Sequence, residues 1–163
     1  MRFVPVSASS DESFVLEVLA ALEQTKLEAL VVGSVAAVLQ GSPVTTQDLD
    51  LLVRDTPSNR RKIGQLGHCL GARPREVSSL TNVLRIDAAS APVDLLFDRL
   101  PGGLSFESIR SRSIVIDLGG RIARVASLED VILSKEAAGR PKDHAQLPIL
   151  RDTLRVKKAL AKP

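Results

Sequence analysis

Aromatic side chains are almost missing from this chain: among its 163 residues there are four Phe and neither Tyr nor Trp. The core must therefore be aliphatic, and stacking of bases on aromatic platforms is excluded as the main way of holding nucleic acid. Cysteine is equally scarce. Cys69 is alone, which rules out an intrachain disulfide and a thiolate metal cluster and fits a reducing compartment. Its context, Ile63 to Leu70, has helical spacing and predicts a buried small residue rather than a nucleophile. No apolar run is long enough to cross a bilayer, and Met1–Ser7 lacks the apolar stretch of a signal peptide. The expectation is a soluble, cytoplasmic chain. Charge is nearly balanced, with 22 Lys and Arg against 19 acids, a net +3. That mild basic excess suits a polyanionic ligand such as a nucleotide or RNA, and serves solubility equally well.

What is present is an alternation of strand and helix patterns without repeats, low-complexity segments or linkers. It predicts one domain over 1–163, of α/β (α+β) class: a mixed sheet flanked by helices, with its core over about 30–125 and C-terminal helices over about 127–156. Ser10-Asp11-Glu12 supplies a helix start, and Phe14, Val15, Val18, Leu19 and Leu22 follow at helical spacing. Further helices are predicted over 35–39, from Thr56-Pro57 to a stop at Gly71, over 105–111, from Ser127 to Gly139, and from Pro141 onward. Strands are predicted at 29–32, 48–53, 76–77, 83–86 and 93–97, and as a hairpin of 114–116 with 122–125 about Gly119-Gly120. Ser127 to Asp130 has the spacing of a capping box. Pro148 should kink or delay the last helix, and the basic tail from Lys157 to Pro163 should fray.

The stretch from Leu30 to Val53 carries the chemistry. An apolar strand runs into a Gly33-Ser34 turn and a short helix, and after a polar loop a second apolar strand bears Asp48 and Asp50 at i and i+2. Side chains two apart on a strand share a face, so both acids point to one spot. Phosphoryl transfer needs charge neutralised and oxygens held in line, which magnesium does through carboxylates and substrate phosphates. Asp94, inside the apolar run Pro92 to Phe97, is the candidate third acid, since a carboxylate there is costly unless paired or metal-bound. Gly33 allows close backbone approach to a phosphate, and Ser34 can donate to it.

Gly33-Ser34, then Asp48-Leu-Asp50, then a later strand acid resembles the pattern of the polymerase-β-like nucleotidyltransferase superfamily. It is most similar to the minimal bacterial nucleotidyltransferases that include the AbiEii-type toxins of toxin–antitoxin systems. The segment Ser127 to Asp143, with a helix lysine followed by a Lys-Asp pair, extends the resemblance to about Leu30–Leu150. The resemblance implies a nucleotidyltransferase fold and transfer of NMP from an NTP to an acceptor hydroxyl on RNA, protein or a small molecule. It implies Mg²⁺ or Mn²⁺ as cofactor, held by Asp48, Asp50 and Asp94, with Asp94 also a base for the acceptor. Gly33, Ser34, Thr46, Lys135, Lys142 and Asp143 would bind the nucleotide, and a cognate antitoxin would be a partner.

Two positions depart from that pattern: Val44 stands where relatives commonly carry a basic residue, and Gln146 where they often carry an acid. They motivate a second reading, a domain of the same fold that binds nucleotide or a protein partner without efficient catalysis. On the residues alone, Lys135 rides an otherwise apolar helix stripe, where it either snorkels to the surface or reaches a phosphate. Asp143 near a helix start has a structural reading as well. The Arg60-Arg61-Lys62 run reads as a solvated helix face. His68 and His144 are isolated and lack metal-ligand spacing.

Overall fold

The computed structural model of the chain describes residues 10–163, with side chains from Glu12 onward. The Met1–Ser7 stretch and the side-chain cap expected at Ser10-Asp11 lie outside the described residues. Helix α1 (Ser10–Thr25) buries Phe14, Val18, Leu19 and Leu22, the stripe that its spacing predicts. Strand β1 (Leu30–Val32) leads straight into the short helix α2 (Gly33–Val38), and strand β2 (Leu49–Val53) follows. Helix α3 (Pro57–Leu70) packs on α1 through Ile63, Leu66 and Leu70. Local chemistry sets both of its ends. The Thr56 hydroxyl accepts from the Asn59 amide at 3.0 Å, Pro57 takes the first turn, and Gly71 closes it at φ 80°.

The strands β3 (Arg75–Glu76), β4 (Val83–Asp87) and β5 (Pro92–Phe97) come next, then the two-residue strands β6 (Arg99–Leu100) and β7 (Leu104–Ser105). Helix α4 (Phe106–Arg112), the hairpin β8 (Ile114–Leu118) and β9 (Arg121–Val125), and helices α5 (Leu128–Ala138) and α6 (Pro141–Ala161) complete the chain. Seven strands form one mixed sheet in the order β3-β4-β5-β2-β1-β9-β8, with β2 parallel to β5 and β1 parallel to β9. Being interior, β2 is covered on both faces: Leu49, Leu51, Leu52 and Val53 are all buried, and Asp50 is its single polar residue. The buried apolar residues form one cluster that runs from α1 through the sheet to α5 and α6. Among the described residues no helix is long and apolar enough to cross a membrane.

Pro101-Gly102-Gly103 forms a turn flanked by the small β6–β7 ladder, whose strands are too short to show an alternation. Several local expectations are corrected. Asp48 lies just before β2 rather than within it. Cys69 is half-buried, at the edge of the core. Only the serine half of the expected capping box forms: the Ser127 hydroxyl accepts from the Asp130 amide at 3.2 Å, while the Asp130 carboxylate is taken by Arg112.

Helix α6 runs unbroken through Pro148 to Ala161, so the tail is helical over most of its length. Buried Leu147 and Leu150 anchor it on either side of the exposed proline. A proline there lacks the N–H that would bond the His144 carbonyl, which places a local penalty on an otherwise regular helix. Pro148→Ala should therefore raise stability by about 1–3 kcal/mol, seen as a higher urea midpoint with an unchanged slope. A lower midpoint would contradict this reading of α6.

Candidate active site

The sheet register assembles the site. Asp50 of β2 is the partner of Asp94 on parallel β5, and Asp94 is the partner of Arg85 on antiparallel β4. Directly paired residues share a face of the sheet, so Asp50, Asp94 and Arg85 form one row across three strands. Arg75 of β3 continues it beyond Arg85. On the other side Asp50 pairs with Val32, the last residue of β1 before the turn. Gly33 makes that turn at φ +65°, and a Cβ built on it would stand 2.6 Å from Asp50 Oδ2. Glycine is thus required there twice, for its left-handed backbone and for the carboxylate lying against it.

The charges in the row are not equally satisfied. Among the described residues Asp50 receives no hydrogen bond, and its pKa is pushed from 3.8 up to about 6 by burial first, then by the charges of Asp94 and Asp48. Lys135 and Lys142 offset part of that rise. Asp94 is gripped on both oxygens by Arg85, with Nε to Oδ1 at 2.7 Å and Nη2 to Oδ2 at 2.8 Å. The same Nη2 stands 3.5 Å from Asp48 Oδ2. Hydrogen bonding to Asp94 outweighs burial and raises the Arg85 pKa. The loop before Asp48 is shaped by Thr46, whose hydroxyl donates to the Asp48 carbonyl at 3.1 Å.

Basic residues of the α5–α6 junction face this row. Lys135 is only 6% exposed and pairs with the fully buried Asp143 at 3.4 Å. Burial lowers the Lys135 pKa, and Asp143 only partly restores it. Asp143 also accepts from the Arg140 side chain at 2.7 Å and from the Arg140 amide at 3.2 Å. Burial alone would raise the Asp143 pKa, but those bonds and the charges of Arg140 and Lys135 hold it below the usual range. Lys135 therefore neither snorkels nor stands free: it is half of a buried pair that closes α5 on α6. Lys142 and the Arg140 side chain are the exposed cations of the group.

The two departures have structural work. Val44 is buried in the core. Gln146 accepts from the Ser34 hydroxyl at 3.0 Å and donates to the Thr45 carbonyl at 3.1 Å, tying α6 to the start of α2 and to the loop before β2. Arg85 is the site residue that sequence reasoning missed. Its signal was a cation inside the run Val83 to Ile86, but only the register puts it opposite Asp94.

Hard carboxylate oxygens are the ligands that Mg²⁺ and Mn²⁺ select. Asp50 suits such an ion well, being a half-buried anion with no donor of its own, and Asp48 stands two residues away with its carboxylate partly exposed. Asp94 shares the row but is engaged by Arg85. Among the described residues no three acids, imidazoles or thiols are grouped to hold an ion. The donor type of Asp48 and Asp50 fits a divalent cation, while Asp94 is held by Arg85 in this structure.

The raised Asp50 pKa makes a prediction about stability. A folded-state pKa above the unfolded one means that the native state holds this proton more tightly. The resulting stabilisation is complete below about pH 4 and lost as pH rises through about 6. Asp50→Asn should accordingly match the wild type near pH 4 and exceed it by up to about 3 kcal/mol at pH 8. Denaturant titrations at the two pH values measure this; a difference independent of pH would contradict it.

No protein-family model matches the chain, and no curated protein matches it by sequence. Solved structures do. The antibiotic-resistance factor ANT(2'')-Ia, in complex with adenylyl-2''-tobramycin, is similar at TM-score 0.63 and 17% identity, over 92% of this chain and 92% of that one. The lincosamide antibiotic adenylyltransferase LnuA, bound to lincomycin, is similar at TM-score 0.63 and 17% identity, over 90% of this chain and 98% of its own. TM1012 of Thermotoga maritima, a candidate nucleotidyltransferase, is similar at 0.55 and 18%, over 91% of each. Identities of this size speak for the fold alone. Together with the mixed sheet and the C-terminal helices, they show that the chain has the nucleotidyltransferase fold.

Proposed function

We propose that this chain, as one unit over 1–163, is a metal-dependent nucleotidyltransferase that moves a nucleoside monophosphate from an NTP onto an acceptor hydroxyl, releasing pyrophosphate. The observation that carries the proposal is the placement of Asp50 beside Asp94 on neighbouring parallel strands and against Gly33, with no hydrogen bond or ion pair to Asp50 among the described residues. Asp48 and Asp50 would hold Mg²⁺ or Mn²⁺, with Asp94 completing the set. A bound divalent cation supplies neutralisation of the charge on the transferring phosphoryl group. The Asp94 carboxylate, once clear of Arg85, would take the proton of the incoming hydroxyl.

The remaining residues hold the nucleotide or shape its site. Gly33 keeps the β1–α2 turn open to phosphate, and Ser34 can donate to it by exchanging its bond to Gln146. Lys142 and Arg140 offer exposed positive charge, while Asp143 keeps Lys135 and Arg140 in place. Thr46 acts on the nucleotide through the loop that presents Asp48. For the acceptor we favour a small-molecule hydroxyl over RNA or protein, because fold neighbours of nearly equal extent carry a tobramycin adduct and lincomycin. The AbiEii-type version, a toxin with a cognate antitoxin, rests on the motif resemblance. A second reading, nucleotide or partner binding without turnover, is favoured by one observation: Arg85 occupies both oxygens of Asp94.

Incubation with each α-labelled NTP, Mg²⁺ or Mn²⁺, and panels of hydroxyl acceptors tests the proposal. Transfer should appear with at least one NTP and fall by about 100-fold or more in Asp50→Ala, the scale of losing electrostatic stabilisation at a reacting centre. Transfer that survives Asp48→Ala combined with Asp50→Ala would overturn the assignment. Tight NTP binding with no turnover on any acceptor would establish the second reading instead.

A further inference from the structure

Arg85 sits where the proposed reaction has no evident need of a cation. Its guanidinium is paired edge-on with Asp94, both nitrogens within 2.8 Å of separate oxygens, and the two side chains are 26% and 13% exposed. A forked, charge-assisted pair of this kind is among the stronger side-chain contacts. It also cancels the charge that Asp94 would otherwise offer to a dication. We propose that Arg85 is a positioning residue that withholds Asp94 from divalent cation until a nucleoside triphosphate arrives, so that metal and nucleotide bind cooperatively. The inference rests on the nucleotidyltransferase reading above and adds a coupling that the reading does not contain.

The neighbouring charges show where Arg85 can go. Asp87, two residues along β4 and hence on the same face, is already held by Arg75 at 2.6 and 3.3 Å. Asp48 is the other acid within reach, at a long 3.5 Å. While Arg85 holds Asp94, only Asp50 and Asp48 are left to face a dication, a weak set for it. A triphosphate changes that, since its oxygens match the guanidinium fork as well as a carboxylate does. Arg85 then exchanges Asp94 for phosphate, and Asp94 becomes a ligand. By linkage the nucleotide strengthens metal binding by the same factor as metal strengthens nucleotide binding.

Mn²⁺ binding to the full chain without nucleotide, followed by electron paramagnetic resonance, tests this with a double-mutant cycle. Arg85→Met should bind Mn²⁺ about tenfold or more tightly than wild type, the scale of one released charge-assisted contact. Asp94→Asn should return Arg85→Met to about the wild-type affinity, since the released carboxylate carries the gain. Arg85→Lys keeps the charge and loses the fork. It should show a smaller gain, again cancelled by Asp94→Asn, and stands in should Arg85→Met not fold. If Asp94→Asn acts equally in both backgrounds, or the gain survives it, Arg85 is only a distant positive charge and the inference is overturned. Asp50-dependent Mn²⁺ binding in those same samples would leave the nucleotidyltransferase reading standing. Absence of Asp50-dependent binding in every folded variant would overturn both.

Discussion

Two carboxylates set side by side on neighbouring interior strands cannot both stay charged and uncompensated in a poorly solvated place. The pairing of Asp50 with Asp94 imposes that constraint on this molecule, and the surrounding structure answers it unequally. Asp94 has the fork of Arg85, whereas Asp50 has only the more distant fields of Lys135 and Lys142 and carries a raised pKa in consequence. A fold built for stability alone would place a leucine at position 50, as it does at 49, 51 and 52. Retaining an acid there is intelligible if the missing counter-charge comes from a bound cation.

The C-terminal helices serve the same row from the other side. Asp143, fully buried, joins Lys135 of α5 to Arg140 at the start of α6, and Gln146 on the next turn reaches Ser34 and Thr45. One helical turn of α6 thus fixes both the basic cluster and the loop that carries Asp48. Removing one member of a buried ion pair leaves the other uncompensated, so this junction links the stability of the helices to the geometry of the site.

Much of the fold was legible because its punctuation is local. Thr56-Pro57 and Gly71 bracket α3, Ser127 and Gly139 bracket α5, and Gly119-Gly120 turns the β8–β9 hairpin. Asp50 was legible within its strand for the same reason, whereas Asp48 stands just before β2, so the spacing of two did not by itself set it on the face of Asp50. What escaped depends on distant pairing. Arg85 is unremarkable until β4 is set antiparallel to β5 in a definite register. The bond from Ser34 to Gln146 spans 112 residues. Lys135 was placed on its apolar stripe correctly, but its burial against Asp143 requires the helix break at Gly139 that folds α6 back. The β6–β7 ladder is too short to leave any periodic trace.

The central claim is that Asp50 and its neighbours form a divalent-cation and nucleotide site that Asp94 joins. The most direct measurement is a crystal structure of the chain with Mn²⁺ and a non-hydrolysable NTP analogue, read by the anomalous signal of the metal. The account predicts a peak ligated by Asp48, Asp50 and Asp94, with the triphosphate along the Gly33-Ser34 turn and Arg85 moved from Asp94 to phosphate. Nucleotide bound elsewhere, or no metal peak at Asp50 despite bound nucleotide, would contradict it.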